Sequence, residues 1–474
     1  MAVVLYPRLT RSDKVQVWIG VDASVPPQLA WTLNGAPAVP RAVRAIAPAR
    51  PAALTHPNEL RVFTGLYEFD GQPATTYRIG AGTNLGSTLR VVRTPPDKVP
   101  QFPAALRMLL ISCYHRAEDK VGAAMAIAQA VKAQPPDLAL FAGDQVYLDL
   151  PTLRNFEDDE AWLARKFEKE DYGPNWMGMG GLSTALAAAP AVFTPDDHEY
   201  WNNAPHSAPH IQSSWTADGR RRWRNAARVL WEAFQQTGDH AVADAIRHDI
   251  EPLAILVLDT RSARTEDKSR TMTNAARAAL DAWSADVIRK KWLGVLVNGQ
   301  SIFQSPEGGL SGAVGDWHLS NYGDYAAIVK ALQAIVDAGR SVLTLTGDVH
   351  WGRVLWGKHI GRPYAVGEVI SSPLSLVTDV LSDTAGRWWR QLTGTGDPLW
   401  PRHEDAPDDA NASYPAKFFG NAYDFRREYG QKGDQFTTLS FARIAPQTVD
   451  LSVTFHSARV TQPPMTRGPF RLQL

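Results

Sequence analysis

Residues 138–147, Leu138-Ala-Leu-Phe-Ala-Gly-Asp-Gln-Val-Tyr147, frame the whole chain. A short apolar run closed by glycine reads as a fully buried strand, and Asp144 then emerges at its carboxyl end, where open α/β sheets place ligands. The pattern recurs: Ala191-Val-Phe-Thr runs into Asp196-Asp-His-Glu199, Leu253–Leu258 into Asp259-Thr-Arg261, and Val342–Gly347 into Asp348-Val-His350. Strands that deliver Asp and His to one sheet edge predict a metal site.

Around these runs, strand and helix alternate. Arg107–Ile111 reads as a strand, Asp119–Ala133 as a helix ending before Pro135-Pro136, and Leu138–Ala142 as the strand that completes a β-α-β unit. Helical patterns follow at 160–170, 220–236, 274–289 and 324–338, with strands at 253–258, 295–298 and 341–346. From alternation alone this predicts a mostly parallel sheet covered on both faces. Phe436–Ile444 and Val449–Phe455 alternate strictly and read as an antiparallel pair.

Residues 1–100 have a different period. Val15-Gln-Val-Trp-Ile, Leu29–Leu33, Leu60–Phe63, Thr76–Ile79 and Thr88–Val92 are short and β-like, separated by Pro, Gly and Asn, and predict a small immunoglobulin-like sandwich. Thr94–Pro100 reads as a linker, so the expected units are 1–100 and a catalytic 101–474. An irregular segment at about 375–430, with Trp388, Trp389, Trp400, Phe418 and Phe419, reads as a lid or a packed insertion.

Composition narrows the function classes. Lys+Arg and Asp+Glu both number 49 in 474 residues, so no global charge favours nucleic acid or an anionic membrane. No run approaches the ~18 apolar residues of a membrane span. The first residues carry no leader pattern, which predicts a cytoplasmic protein as written, and an exported one if a leader was removed. The single cysteine, Cys113, excludes an internal disulfide.

A two-metal hydrolytic centre needs a bridging carboxylate and further oxygen and nitrogen ligands. Asp144 is the natural bridge, although an acid after a strand also reads as a helix cap. Adjacent Asp196 and Asp197 repel unless cations or hydrogen bonds compensate, which favours Asp197 as a ligand with His198 facing the substrate. Asp348 and His350 share a side on extended backbone. A lone cysteine is most often a small buried hydrophobe, but at a strand end facing acids Cys113 also reads as a thiolate ligand, with His115 beside it at i+2.

Taken together, Ser112-Cys113, Gly143-Asp-Gln-Val-Tyr147, Asp196-Asp-His-Glu-Tyr-Trp-Asn202, Leu258-Asp-Thr-Arg261, Gly347-Asp-Val-His-Trp351 and Glu368–Leu374 resemble the PhoD-like alkaline phosphatases and phosphodiesterases. These belong to the calcineurin-like metallophosphoesterases. The resemblance spans about 105–445. It implies a metallophosphoesterase β-sandwich core flanked by helices, a fold of the α/β class, with an N-terminal β domain. It also implies that Cys113, Asp144, Tyr147, Asp197, Asp348 and His350 bind metal, iron with calcium being characteristic and zinc or manganese the alternatives. Where the wider superfamily has Asp-x-His and Gly-His-x-His, this chain has Cys113-x-His115 and Gly-Asp348-x-His350, as in the PhoD-like branch. Asn202 and Asn203 are further candidates, as an amide ligand or as supports for Asp197.

The expected reaction is hydrolysis of a phosphomonoester or phosphodiester by a metal-activated water, with His198 serving the leaving oxygen. Arg261 and Arg353 are candidate clamps for the phosphoryl oxygens, and equally candidate structural ion pairs. Two other readings are a non-catalytic binding protein with a structural or degenerate metal site, and a nucleophilic or redox Cys113.

Overall fold

The computed structural model describes residues 3–50, 61–119, 122–150, 156–237, 244–304, 306, 317–359, 364–375, 423–459 and 462–474. The N-terminal strands are β1 (Val3–Arg8), β2 (Lys14–Ala23), β3 (Ala30–Leu33), β4 (Ala36–Ala38), β5 (Arg41–Pro48), β6 (Arg61–Asp70), β7 (Thr76–Thr83) and β8 (Gly86–Arg93). They form two layers, β1-β2-β6-β5 and β4-β3-β7-β8. Val15, Val17 and Ile19 of β2 face Trp31, Tyr77 and Ile79 of the second layer. The intervening Trp18 points the other way, into a core shared with helices from later in the chain. Period-2 alternation with both faces apolar therefore places β2 in the middle of the stack.

The next strands are β9 (Leu106–Ile111), β10 (Leu138–Ala142), β11 (Ala191–Thr194), β12 (Ala245–Ile250), β13 (Leu253–Leu258), β14 (Leu293–Val297) and β15 (Val342–Thr346). They are followed by β16 (Trp351–His359), β17 (Tyr364–Ile370), β18 (Tyr423–Lys432), β19 (Gln435–Ala445), β20 (Thr448–Ser457) and β21 (Met465–Gln473). One sheet runs β11-β10-β9 in parallel and continues antiparallel through β19, β20 and β21. The other has β13-β14-β15-β17 in parallel, with β12 antiparallel on one flank and β16 and β18 on the other. A pairing of Tyr364 with Leu472 joins them at one edge.

The two sheets face each other across one apolar core. Leu138, Leu140 and Ala142 of β10 enter it from one side, and Ile255 and Val257 of β13 with Leu343 and Leu345 of β15 from the other. The alternate residues point outward. Ala139 and Phe141 meet a helical layer that includes Gly122–Ala133 and Ala217–Phe234. Ala254, Leu256 and Leu258 meet the helices Asn274–Lys290 and Tyr325–Asp337. The single parallel sheet expected from alternation is thus corrected to a mixed α/β fold with two large sheets and helices outside. A strand buried on both faces reads the same whether its second face meets a helix or another sheet.

The N-terminal layer touches this frame directly, since Arg8 of β1 pairs in parallel with Ala191 of β11. Of the segment 375–430, residues 376–422 with their aromatic cluster lie outside the described residues, and Tyr423–Lys432 is strand β18. No helix among the described residues is long and apolar enough to cross a membrane.

Candidate metal centre

The parallel strands end at matched levels, Phe141 opposite Ile111 and Ala142 opposite Thr194, so the loops that follow begin side by side. Two glycines let them close up. A Cβ on Gly347 would stand 2.2 Å from the Ala142 carbonyl oxygen and 2.4 Å from Cβ of Ser112. Gly143 has φ +85°, and a Cβ there would lie 2.6 Å from Cβ of Asp196. These contacts bring the loops after β9, β10, β11 and β15 within side-chain reach of one another.

The Cys113 thiol, fully buried, lies 3.5 Å from an Asp144 carboxylate oxygen and accepts a hydrogen bond from Ser372 Oγ at 3.0 Å. Tyr147 Oη and His350 Nε2 are 3.4 Å apart, and the His350 backbone N–H donates to Ser372 Oγ at 3.1 Å. Ligand atoms of Cys113, Asp144 and His350 lie within 4.8 Å of one another, as do those of Asp144, Asp196, Asp197 and Asp348. The six expected ligands are therefore gathered at one place.

The backbone is strained at the same spot. Among the described residues nine non-glycine residues have positive φ, and Cys113, Asp144, Asn203, Asp348 and His350 are five of them. Such conformations persist only where the surroundings over-determine them, and they concentrate at functional sites.

The surroundings do so through Glu199. Its carboxylate accepts the backbone N–H groups of Asp144 at 2.9 Å, Gln145 at 2.7 Å and Asp196 at 2.8 Å. Asp197 accepts the backbone N–H of Asn203 at 3.0 Å, so Asn203 supports Asp197 through its main chain. The Asn203 side-chain oxygen accepts from the Trp317 N–H instead.

The electrostatics describe a site that calls for cations. Burial, then Cys113, Asp197, Asp196 and Glu199, push the Asp144 carboxyl well above its usual range. Burial first, then Cys113 and Asp144, raise the Tyr147 phenol. Burial lifts the Cys113 thiol to about 12. These groups can all be ionised together only if a positive charge compensates them. A donor set of thiol, phenol, carboxylates and imidazole suits transition-metal and hard oxygen-seeking ions side by side, so the residues present fit metal ions.

His198 is held by a residue to which sequence reasoning assigned no role. Its Nδ1 lies 2.7 Å from an oxygen of buried Asp149, whose other oxygen accepts the Asn202 N–H at 3.0 Å and lies 3.4 Å from His210 Nε2. Burial pulls the His198 imidazole down, but Asp149 and Asp197 outweigh it and raise it to about 10. Burial pushes the Asp149 carboxyl up, and the two imidazoles hold it below the ordinary carboxylate range. Asp149 stands two residues after Tyr147, within strand-end reach, which was the available signal.

The two arginines expected as possible clamps are both turned into the protein. Arg261, 2% exposed, donates from Nε to Asp196 at 2.6 Å and from a terminal nitrogen to the Ala204 carbonyl at 2.9 Å. Arg353, 3% exposed, pairs with Glu368 and donates to Ser301 Oγ at 3.1 Å and the Phe303 carbonyl at 3.2 Å. Of the two roles left open, their geometry is that of the structural ion pair. Guanidinium groups already spent on buried partners are not presented to a substrate.

No family model matches the sequence, and no curated protein matches it. Among solved structures, that of PhoD is similar with a TM-score of 0.62 at 14% identity, covering 98% of this chain and 88% of that one. At that identity the likeness is one of fold, and it extends over nearly the whole chain. An amylomaltase from Corynebacterium glutamicum is also matched, with a TM-score of 0.14 at 12% identity over 71% of this chain and 54% of that one, and carries no argument.

Proposed function

We propose that this protein is a metal-dependent hydrolase of phosphate esters, a PhoD-like phosphatase or phosphodiesterase. The observation that carries the reading is the convergence of ligand atoms from several strand ends, Asp144 common to each group, within 4.8 Å of one another. Cys113, Asp144, Tyr147, Asp197, Asp348 and His350 would hold the ions, with iron and calcium as the proposed pair and zinc or manganese as substitutes the donor set accepts. When bound, the ions supply Lewis acidity towards phosphoryl oxygens and an acidic water.

The chain's own residues divide the remaining work. Asp149 fixes the His198 ring and favours its protonated form, so His198 serves as the acid that delivers a proton to the leaving oxygen. Arg261 binds Asp196 closely, at 2.6 Å, and stands 3.9 Å from Asp197, so it eases the repulsion between the two carboxylates and leaves Asp197 the less tightly paired of them. Arg353 and Glu368 brace β16 against β17 behind the site. Residues 1–100 form the accompanying β domain of this proposal, and 101–474 the catalytic one.

The test is elemental analysis of protein purified without added metal, with hydrolysis of p-nitrophenyl phosphate and bis-p-nitrophenyl phosphate by wild type and Asp144→Asn. Near-stoichiometric metal and activity abolished by Asp144→Asn are expected. Metal-free protein that stays inactive with iron, calcium, zinc or manganese would sink the proposal.

A further inference from the structure

We infer that the N-terminal strands are a working part of the metal centre, acting through Gln235 and Glu199 as positioning residues for the Asp144 loop. The inference rests on the metal-centre reading above and concerns what holds that centre in shape.

The helix Ala217–Phe234 ends beside the site, and its last carbonyls need partners that the helix cannot supply. The Trp231 carbonyl accepts the backbone N–H of Gln235 at 2.8 Å. The next three are taken by the N-terminal strands. Arg44 of β5 donates to the Glu232 carbonyl and, at 2.8 Å, to that of Ala233. Trp18 Nε1 of β2 also reaches the Ala233 carbonyl at 2.8 Å, and Arg8 of β1 reaches that of Phe234 at 2.6 Å. Two guanidinium groups at a helix carboxyl end are favourable to its dipole as well as to its carbonyls. The place where this helix stops is therefore set by strands more than 180 residues earlier in the chain.

The next residue carries that position to the ligands. Gln235, fully buried, donates from Nε2 to Glu199 Oε1 at 3.2 Å. Glu199 then has donors on both oxygens, three of them the N–H groups of Asp144, Gln145 and Asp196. A second route arrives from the same N-terminal layer, through Arg50 just past β5, Val62 of β6 and Tyr6 of β1. Arg50 pairs with buried Glu168, whose other oxygen accepts the Val62 N–H at 2.6 Å, and Tyr6 Oη donates to the Trp176 carbonyl at 2.7 Å. Between those anchors Asn175 Nδ2 donates to the Gln145 carbonyl at 2.9 Å. Gln145 is thus gripped at its N–H by one route and at its carbonyl by the other. Its neighbour Asp144 is kept at φ +58°, a conformation that demands such external restraint.

Hydrogen exchange in metal-free full-length protein and titration with Mn2+ test this together. In Gln235→Leu the Gln145 amide is expected to exchange about tenfold faster, the equivalent of losing one buried hydrogen bond. Mn2+ affinity is expected to fall about 10–100-fold, the usual effect of removing a partner that orients a metal ligand. Arg44→Met, made far from any ligand, should shift both readouts in the same direction and answers the question if Gln235→Leu does not fold. Arg471→Met, which breaks an exposed pair with Asp450, should move neither. Wild-type affinity for Mn2+ retained by a folded Gln235→Leu or Arg44→Met, with unchanged exchange at Gln145, overturns the inference while leaving the metal centre standing. A wild type that binds no Mn2+ overturns the metal-centre reading, and this inference with it.

Discussion

Asp149 sits between two imidazoles with both oxygens engaged, and at the scale of the residue it sets how His198 can act. Asp149→Asn keeps the shape but removes the charge that favours imidazolium. On the proposed chemistry kcat falls about 10²-fold, with KM and metal content nearly unchanged. Steady-state kinetics on bis-p-nitrophenyl phosphate read this directly, and an unchanged kcat would remove His198 from its role. Arg353 gives the opposite expectation. Arg353→Met strands Glu368, whose oxygens also accept the Ile302 N–H at 2.7 Å and the Ser301 hydroxyl at 3.0 Å. An uncompensated buried charge costs about 3–5 kcal/mol. Urea unfolding should show that loss, while KM of the folded enzyme holds. A raised KM with stability intact would restore the clamp. Cys113, Asp144, Asp197, Asp348 and His350 were legible from sequence as ligand candidates because each follows an apolar run. Tyr147 was legible only through family resemblance, since a tyrosine at i+3 from an acid otherwise reads as a packed aromatic.

Among the elements, the decisive feature is how closely the strand ends approach. Gly347→Ala would push a methyl group into the Ala142 carbonyl at 2.2 Å and into Ser112 at 2.4 Å. Because one obstacle is backbone, β10 must shift, and the cost is expected at or above the ~1–3 kcal/mol of ordinary overpacking, with loss of bound metal. Gly82→Ala is the contrast, since a Cβ there meets only the Ala30 carbonyl at 3.8 Å, and its melting temperature should stay near wild type. The strands β10, β13 and β15 could be read from sequence because their runs are apolar, or in β15 apolar and β-branched, and are closed by Asp. β12, Ala245–Ile250, escaped because Arg247, His248 and Asp249 interrupt it, and its antiparallel pairing with β13 became visible only in the sheet.

For the molecule as a whole, a buried imidazole outside the site adds its own pH dependence to stability below neutral pH. Burial lowers His248 from 6.5 to about 4. As pH falls the unfolded chain takes up this proton first, so the stability from burying a neutral ring is present above 6.5 and is lost between there and about 4. The shift corresponds to of order 3 kcal/mol. Melting curves of wild type and His248→Leu from pH 7.5 to 4 should converge towards acid, the variant lacking this part of the slope. Parallel curves would mean that His248 takes up its proton at the same pH in the fold as in the unfolded chain. The carbonyls of Glu232, Ala233 and Phe234 capped by Arg8, Trp18 and Arg44 belong to this scale too, because they tie the layer β1-β2-β6-β5 to the helix Ala217–Phe234.

The order of apolar runs and the acids that close them was determined by the sequence alone, because a strand and the residue at its end are local matters of side-chain period and chain direction. So were the candidate ligands and the change of period near residue 100. The tertiary structure decided that the strands divide between two facing sheets, since a run apolar on both faces does not say what covers each face. It also decided that Arg261 pairs with Asp196, Arg353 with Glu368 and His198 with Asp149. Those partners lie 15 to 65 residues apart, and a charge in a sequence carries no mark of which opposite charge will share its burial.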